Sequence, residues 1–235
     1  MADEVPAPAE APEKETGAWG QAITALVLVG ALAGGLWVVG RTQSSAGAPA
    51  AATCPDGDSD AASGHASGAQ LCEALNRADL AELLGTPGEI AKSASATGSD
   101  DSLRLAGGAT IATPSTQVEF ATYTVNLAAS YDRLPVAGSA GVLGDDARQR
   151  TVLGRPAVIY SDRTIRLSVQ LGGGGSHSDP GVLARALSVA RDAKDSGGSF
   201  EVTLWRADGG VPDDTVLLRV AQRVLPTIPG WYPDV

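Results

Sequence analysis

The sequence predicts an α+β protein, a mostly antiparallel sheet with helices packed on one face, preceded by one transmembrane helix. Three observations carry that expectation. An uncharged apolar run, WGQAITALVLVGALAGGLWVV, fills residues 19–39. Further on the hydrophobic period is two, most clearly where Ile165, Leu167, Val169 and Leu171 alternate with Thr164, Arg166, Ser168 and Gln170. Runs of helical period lie at both ends of that region. The expected organisation is a disordered acidic tail over 1–18, the membrane helix over 19–39, a flexible linker over 40–68 and an extracytoplasmic α+β domain over 69–235.

A helix over 19–39 rises about 1.5 Å per residue and covers about 30 Å, the thickness of a hydrocarbon core. Trp19 and Trp37 fall near its ends, where indoles prefer the headgroup layer. A cleaved signal peptide fits less well, because the residues ahead of the run are acidic (Asp3, Glu4, Glu10, Glu13 and Glu15 against Lys14) and the run is too long. A lipoprotein anchor needs a cysteine directly after the run, and the first is Cys54. Gly30 and Gly34 form a GxxxG spacing that suits a weak helix dimer, the alternative being small residues that face lipid. Lys14 and Arg41 nearly balance as orientation signals, so the cysteines are used instead. In an oxidising compartment Cys54 and Cys72 close one short loop and constrain the unfolded chain by about 3 kcal/mol. That puts the N-terminus in the cytoplasm and the C-terminal domain outside; the alternative is two unrelated thiols.

Residues 1–18 and 41–68 are rich in Pro, Ala, Gly, Ser and Glu and hold too little apolar surface to offset the entropy of folding. From there, Ser67 and Gln70 form a capping box ahead of Leu71, Cys72 and Leu75. ADLAELLG makes a second short helix that stops at Gly85 before Pro87. Strands are expected at 90–96, at 108–113 and as one long run over Gln117–Ser130, with Ala121, Tyr123, Val125 and Leu127 on one face. After a glycine-containing loop over Leu134–Asp146, Arg150–Leu153 and Ala157–Tyr160 flank Gly154-Arg155-Pro156 as a hairpin, and the alternating strand at Thr164–Leu171 follows. Gly172–Ser178 reads as a flexible loop. Asp179-Pro180 supplies an N-cap and an N1 proline for a helix to about Ala193, with Val182, Leu183, Ala186, Leu187 and Ala190 inward. SFEVTLWR returns as a strand, and a last helix from Asp213 or Asp214 runs until Pro226.

The net charge of −10 is concentrated in the tail and in Asp56, Asp58 and Asp60, leaving the domain mildly acidic. It has no phosphate-backbone footprint, so no nucleic-acid partner is expected.

The segments LCEALNRADLAELLGTP, VLGDDA, YSDRTIRLSV, GVLARALSVARDAKD and VLLRVAQRVLP resemble uncharacterised actinobacterial single-pass membrane proteins that carry a domain of unknown function. More distantly, the cysteine before A-D-L-x-x-L-L-G and the later L-G-D-x-A are similar to actinobacterial cell-envelope lipoproteins with a helix-flanked antiparallel sheet. The chain departs from those in lacking a lipidation cysteine. The resemblance implies placement and fold and carries no functional residue over.

Sites of chemistry are sparse. Gly172–Gly175 sits where a phosphate loop would, but no P-loop lysine follows and Asp179-Pro180 puts a negative charge where an anion would dock. Asp56, Asp58 and Asp60 begin like a calcium loop, yet Ala61 replaces the turn glycine. His65 and His177 lack recognisable partners, and Asp145 with Asp146 is the one loop pair in a position to serve as catalytic carboxylates, a loop cap being the plainer reading. Trp205, Trp231 and Tyr232 suit core packing or tail docking better than a cleft. The suggestive feature is Arg148, Arg150, Arg155, Arg163 and Arg166 on the hairpin, which fit an anionic partner such as an envelope polymer, a headgroup or an acidic protein. No catalytic residue, cofactor or metal is expected. The expected protein contacts membrane lipid through Trp19–Val39 and is a non-enzymatic binding or structural module of the cell envelope. The alternative is a small-molecule or lipid-binding sensor coupled to the membrane helix, which would need an apolar cavity between sheet and helices.

Overall fold

The computed structural model describes residues 50–231 apart from 57–64, 98–101, 105–109 and 170–175. The apolar run Trp19–Val39, with Gly30 and Gly34, lies outside the described residues, as do Gly172–Gly175 and Tyr232. No helix among the described residues is long and apolar enough to cross a membrane. The compact unit begins at Ala50, inside the stretch read as linker. Ala52 is tied to it by its own N–H, which donates to the Ala91 carbonyl, and by its carbonyl, which accepts from the Asn76 amide.

Among the described residues two helices come first, α1 (Gly68–Leu75) and α2 (Leu80–Leu83). The capping box on α1 is present as expected: the Ser67 hydroxyl accepts from Gln70 N–H while the Gln70 side chain accepts from Ser67 N–H. Gly85 takes φ +79° after α2, a backbone conformation that glycine adopts without steric cost. Nine strands follow: β1 (Ser93–Ala96), β2 (Ser102–Arg104), β3 (Thr110–Ala112), β4 (Ser115–Glu119), β5 (Tyr123–Ser130), β6 (Arg148–Val152), β7 (Arg155–Val169), β8 (Ser176–Ala190) and β9 (Ser199–Arg206). The chain closes with α3 (Asp214–Val224) and a 3-10 turn over Leu225–Thr227 that contains Pro226.

Seven strands form one antiparallel sheet in the order β1-β4-β5-β9-β8-β7-β6, and β2 pairs with β3 separately. The α+β expectation holds, with more sheet than the sequence indicated. Four elements differ: the sequence does not predict β2, β7 runs unbroken through Ser161–Arg163 where the sequence separates Ala157–Tyr160 from Thr164–Leu171, and two further runs change form. The run Gln117–Ser130 is broken by a turn at Phe120–Thr122, where Phe120 N–H donates to the Tyr123 carbonyl and the Glu89 carboxylate accepts from Thr122 N–H and hydroxyl. Tyr123, Val125 and Leu127 are buried as expected, but Ala121 sits exposed in the turn.

The larger correction is the helix expected from Asp179 to Ala193. These residues form β8, paired with β7 on one side and β9 on the other. Its inner half is buried on both faces: Leu187 and Val189 belong to one core, Ala186 and Ala190 to another. A strand apolar on both faces has no period-two signature, and an Ala/Leu-rich run then satisfies the helical template equally well. Pro180 is not an N1 residue but the register partner of Ile165, next to a bulge.

The main core lies between one sheet face and the helices. Leu71 and Leu75 of α1 and Leu217, Val220, Ala221 and Val224 of α3 meet Val125, Leu127, Leu187, Phe200, Val202 and Leu204. Each of the larger side chains, the leucines, valines and Phe200, contributes about 1.5–3 kcal/mol by leaving water. On the other face the segment between β5 and β6 lies over Val158, Tyr160 and Ala186, packing Val136, Ala140, Leu143 and Ala147 against them.

Candidate functional site

The hairpin β6–β7 turns through Leu153 and Gly154, both at positive φ. The turn sets Arg148 opposite Ile159 and Arg150 opposite Ala157. Arg148 and Arg150 are therefore on one face of the edge strand, about 7 Å apart along it, and both are exposed. Gln149, Arg150 and Thr151 line an open groove of about 500 Å³ with Ala137, Pro156 and Ala157. Arg163 lies further along β7 and is exposed; Arg166 lies beyond the bulge, with Asp179 as its register partner.

Arg155 does not share this surface. It is 2% exposed, its guanidinium lies 3.5 Å from the centroid of the Trp231 ring, and it donates to the Arg191 carbonyl. Trp231 in turn packs on Phe200, the centroids 5.7 Å apart. Arg155 fastens the C-terminal turn to the start of β7 and leaves the expected anion-binding set. Trp231 is the core-packing aromatic that the sequence suggested.

The strongest charge network centres on Arg185, a residue that the helical reading of β8 concealed. Its Nε and Nη2 donate to the two Asp214 carboxylate oxygens at 2.7 and 3.1 Å, while Nη1 donates to Asp146 Oδ2 at 2.8 Å and to Ser161 Oγ at 2.6 Å. Asp146 also accepts from Ser161 N–H and hydroxyl. Ser161 and Arg185 hold the Asp146 carboxyl below its usual range. The network bolts the segment ahead of β6, the strands β7 and β8, and the start of α3 together. Asp146 is thus a fastening, and Asp145 beside it is exposed.

Two further pairings were not visible in the sequence, one of them giving His65 the partner that the sequence did not show. Tyr160 donates to Glu201 Oε2 at 2.6 Å on the second face of the sheet; burial first, and Asp162 nearby, push the Glu201 carboxyl up. His65 stacks on Tyr131 with centroids 3.8 Å apart, and the Tyr131 hydroxyl accepts from Ala66 N–H. Burial and then the Arg191 charge lower the His65 pKa. Period-two counting was the only signal available for the first pair, since Tyr160 and Glu201 sit on alternate positions of separate strands; nothing local marks the second.

Cys54 and Cys72 stand at disulfide distance, with Cα atoms 5.8 Å apart. The bond joins the segment that arrives at Ala50 to α1. Residues 13–146, more than half of the chain, match a family of unknown function. The chain belongs to that family, DUF6215. The DUF6215 match takes in the apolar run, the cysteine pair, α1 and α2, and β1 to β5, and ends at Asp146 of the Arg185 network. No curated protein and no solved structure matches the chain. Among the described residues no cluster of His, Cys, Asp and Glu has the makings of a metal site.

Proposed function

We propose that this is a single-pass membrane protein whose disulfide-bonded domain lies outside the cytoplasm and serves the cell envelope as a binding or structural module. The observation that carries the reading is the Cys54–Cys72 pair, because such bonds persist in oxidising compartments and this one closes directly downstream of an apolar run of spanning length. The family match, which starts ahead of that run, supports treating run and domain as one unit. The relatives suggested by the sequence, actinobacterial membrane proteins, fit the same placement.

Binding is proposed to use the exposed face of β6, where Arg150 lines the open groove and Arg148, two residues away on the same face of the strand, is exposed, so that both can meet an anionic envelope polymer. Catalysis forms no part of the proposal: the lowered carboxyls of Asp146, Asp208 and Asp213 are each committed to an ion pair, a turn or a helix cap. The sensor alternative needs space between sheet and helices, and Leu71, Leu75, Val202, Leu217 and Val220 occupy that interface with no exposure. Protease added to intact cells should digest the domain, and non-reducing gels should show it oxidised; a protected, reduced domain refutes the placement. Arg148→Glu with Arg150→Glu should weaken retention on anionic wall polymer about ten-fold or more at low salt. Unchanged retention refutes the binding face.

A further inference from the structure

The sheet has one end to which two unrelated features converge. A row of register partners crosses it: Ser93 with Glu119, Glu119 with Thr124, Thr124 with Trp205, Trp205 with Ala184 and Ala184 with Asp162. At one margin of this row, just ahead of Ser93, Ala91 accepts from Ala52 N–H at 3.0 Å, so the chain coming from residues 19–39 joins the domain at this end. At the other margin β7 and β8 carry on past the row after β9 has ended. They form a two-stranded arm of Arg163–Val169 with Ser176–Leu183, about 20 Å long.

The arm is set by a bulge. Gly181 and Val182 both oppose Thr164, and Val182 N–H donates to the Thr164 hydroxyl at 2.9 Å. A Cβ on Gly181 would meet Thr164 Oγ1 at 2.1 Å and the Thr164 carbonyl oxygen at 2.7 Å, so the crossing needs glycine. Just beyond the bulge Ile165 is 75% exposed opposite Pro180, and Leu167 and Val169 occupy the following alternate positions of β7. Two more exposed apolar side chains follow in sequence from this end, Val211 three residues after the Arg206–Asp208 pair that closes β9 and Ile90 next to Ala91.

We propose that this arm rests on the bilayer that holds the chain, with Ile165 in the boundary between headgroups and acyl chains. The inference rests on the membrane-anchored reading above and adds to it an orientation for the domain. Residues 40–49 span at most about 35 Å even when fully extended, and they end at Ala50, on the same end of the sheet as the arm. An arm of about 20 Å projecting from that end is within range of the surface from which the tether starts. Asp162, Asp179 and Asp208 offset Arg163, Arg166 and Arg206 there, so burial of apolar surface, not attraction to anionic lipid, is the driving term. The arginines keep their heads in the phosphate layer while their stems lie along the apolar boundary. A contact this small is weak on its own; the tether supplies the effective concentration that makes it persistent.

The test uses the full-length chain reconstituted in vesicles of mixed phosphatidylglycerol and phosphatidylcholine, with an environment-sensitive fluorophore on Ile165→Cys and the Cys54–Cys72 bond intact. Leu134→Cys is the control, an exposed position next to the opposite end of the sheet, where Ser130 pairs with Ser199. The label at 165 should be blue-shifted and quenched about two-fold or more beyond the control by nitroxide on the lipid acyl chains, with little change on raising salt. Equal quenching at 165 and 134 in vesicle-bound protein overturns the arm contact and leaves the anchor reading standing. A full-length chain that fails to float with the vesicles overturns both. Quenching that follows protein density instead of lipid quencher assigns the arm to a second copy of the chain and also overturns the proposal.

Discussion

Replacing Arg155 with alanine should destabilise the domain far more than any other arginine change on the hairpin. The guanidinium is 2% exposed and lies 3.5 Å from the Trp231 centroid, a desolvated cation–π contact worth about 2 kcal/mol. Truncation also removes the donor to the Arg191 carbonyl, and a buried acceptor left unpaired costs about 1–3 kcal/mol. The expected loss is therefore about 3–5 kcal/mol, a large part of the 5–15 kcal/mol that holds a typical domain folded. At about 2–4 °C per kcal/mol for a domain of this size, Tm should fall by roughly 6–20 °C. Thermal unfolding followed by tryptophan emission measures this, since Trp231 is itself a member of the contact. Arg155→Lys should recover only part of the loss, because an ammonium lacks the planar face that stacks on indole. A loss below about 1 kcal/mol for Arg155→Ala would falsify the anchoring role, as that is the scale of an ordinary surface ion pair.

Other outcomes follow from the same geometry. Cys54→Ser or reduction of the bond should cost about 3 kcal/mol and speed amide exchange at Ala52, measured by denaturant unfolding and hydrogen exchange with and without reductant. Gly181→Val should lower stability by about 1–3 kcal/mol and expose Arg163–Val169 to protease, with only partial rescue by Thr164→Ala because the Thr164 carbonyl also stands in the way. The raised Glu201 carboxyl makes its ionised form unfavourable in the fold, so its contribution is fully present below the unfolded value near pH 4.3 and is lost as pH rises through the higher folded value. Glu201→Gln should therefore raise Tm at neutral pH and make no difference in acid; a lowered Tm at pH 7 counts against the buried-carboxylate reading. Asp146 has the opposite sign: its lowered carboxyl supports the fold above the ordinary carboxylate range and ceases to as pH falls through its folded value. Asp146→Asn should flatten the acid limb of a pH–stability curve.

Much of the architecture was legible locally. The α1 capping box, the Gly85 stop, the β6–β7 hairpin, β9 and the Asp213 cap of α3 are each written within a few consecutive residues, so neighbouring side chains and backbone hydrogen bonds suffice to specify them. The site was less legible. Arg155 looked like its neighbours Arg148 and Arg150 because burial by Trp231, far away in sequence, leaves no local trace.

The amino-acid order alone determined the apolar run and an antiparallel sheet flanked by helices, since length and alternation are properties of consecutive residues. The pairing of Cys54 with Cys72, which the sequence left beside two unrelated thiols, was decided by their approach in the fold. Whether GVLARALSVA became a helix or a strand was decided only in three dimensions. Its intrinsic helical preference amounts to tenths of a kcal/mol per residue, whereas β7 and β9 offer it hydrogen bonds on both edges and Val202, Phe200 and Val158 offer it packing on both faces. The same pairing carried Arg185 to Asp146 and Asp214, and left the outer halves of β7 and β8 projecting from the end of the sheet where Ala52 bonds to Ala91.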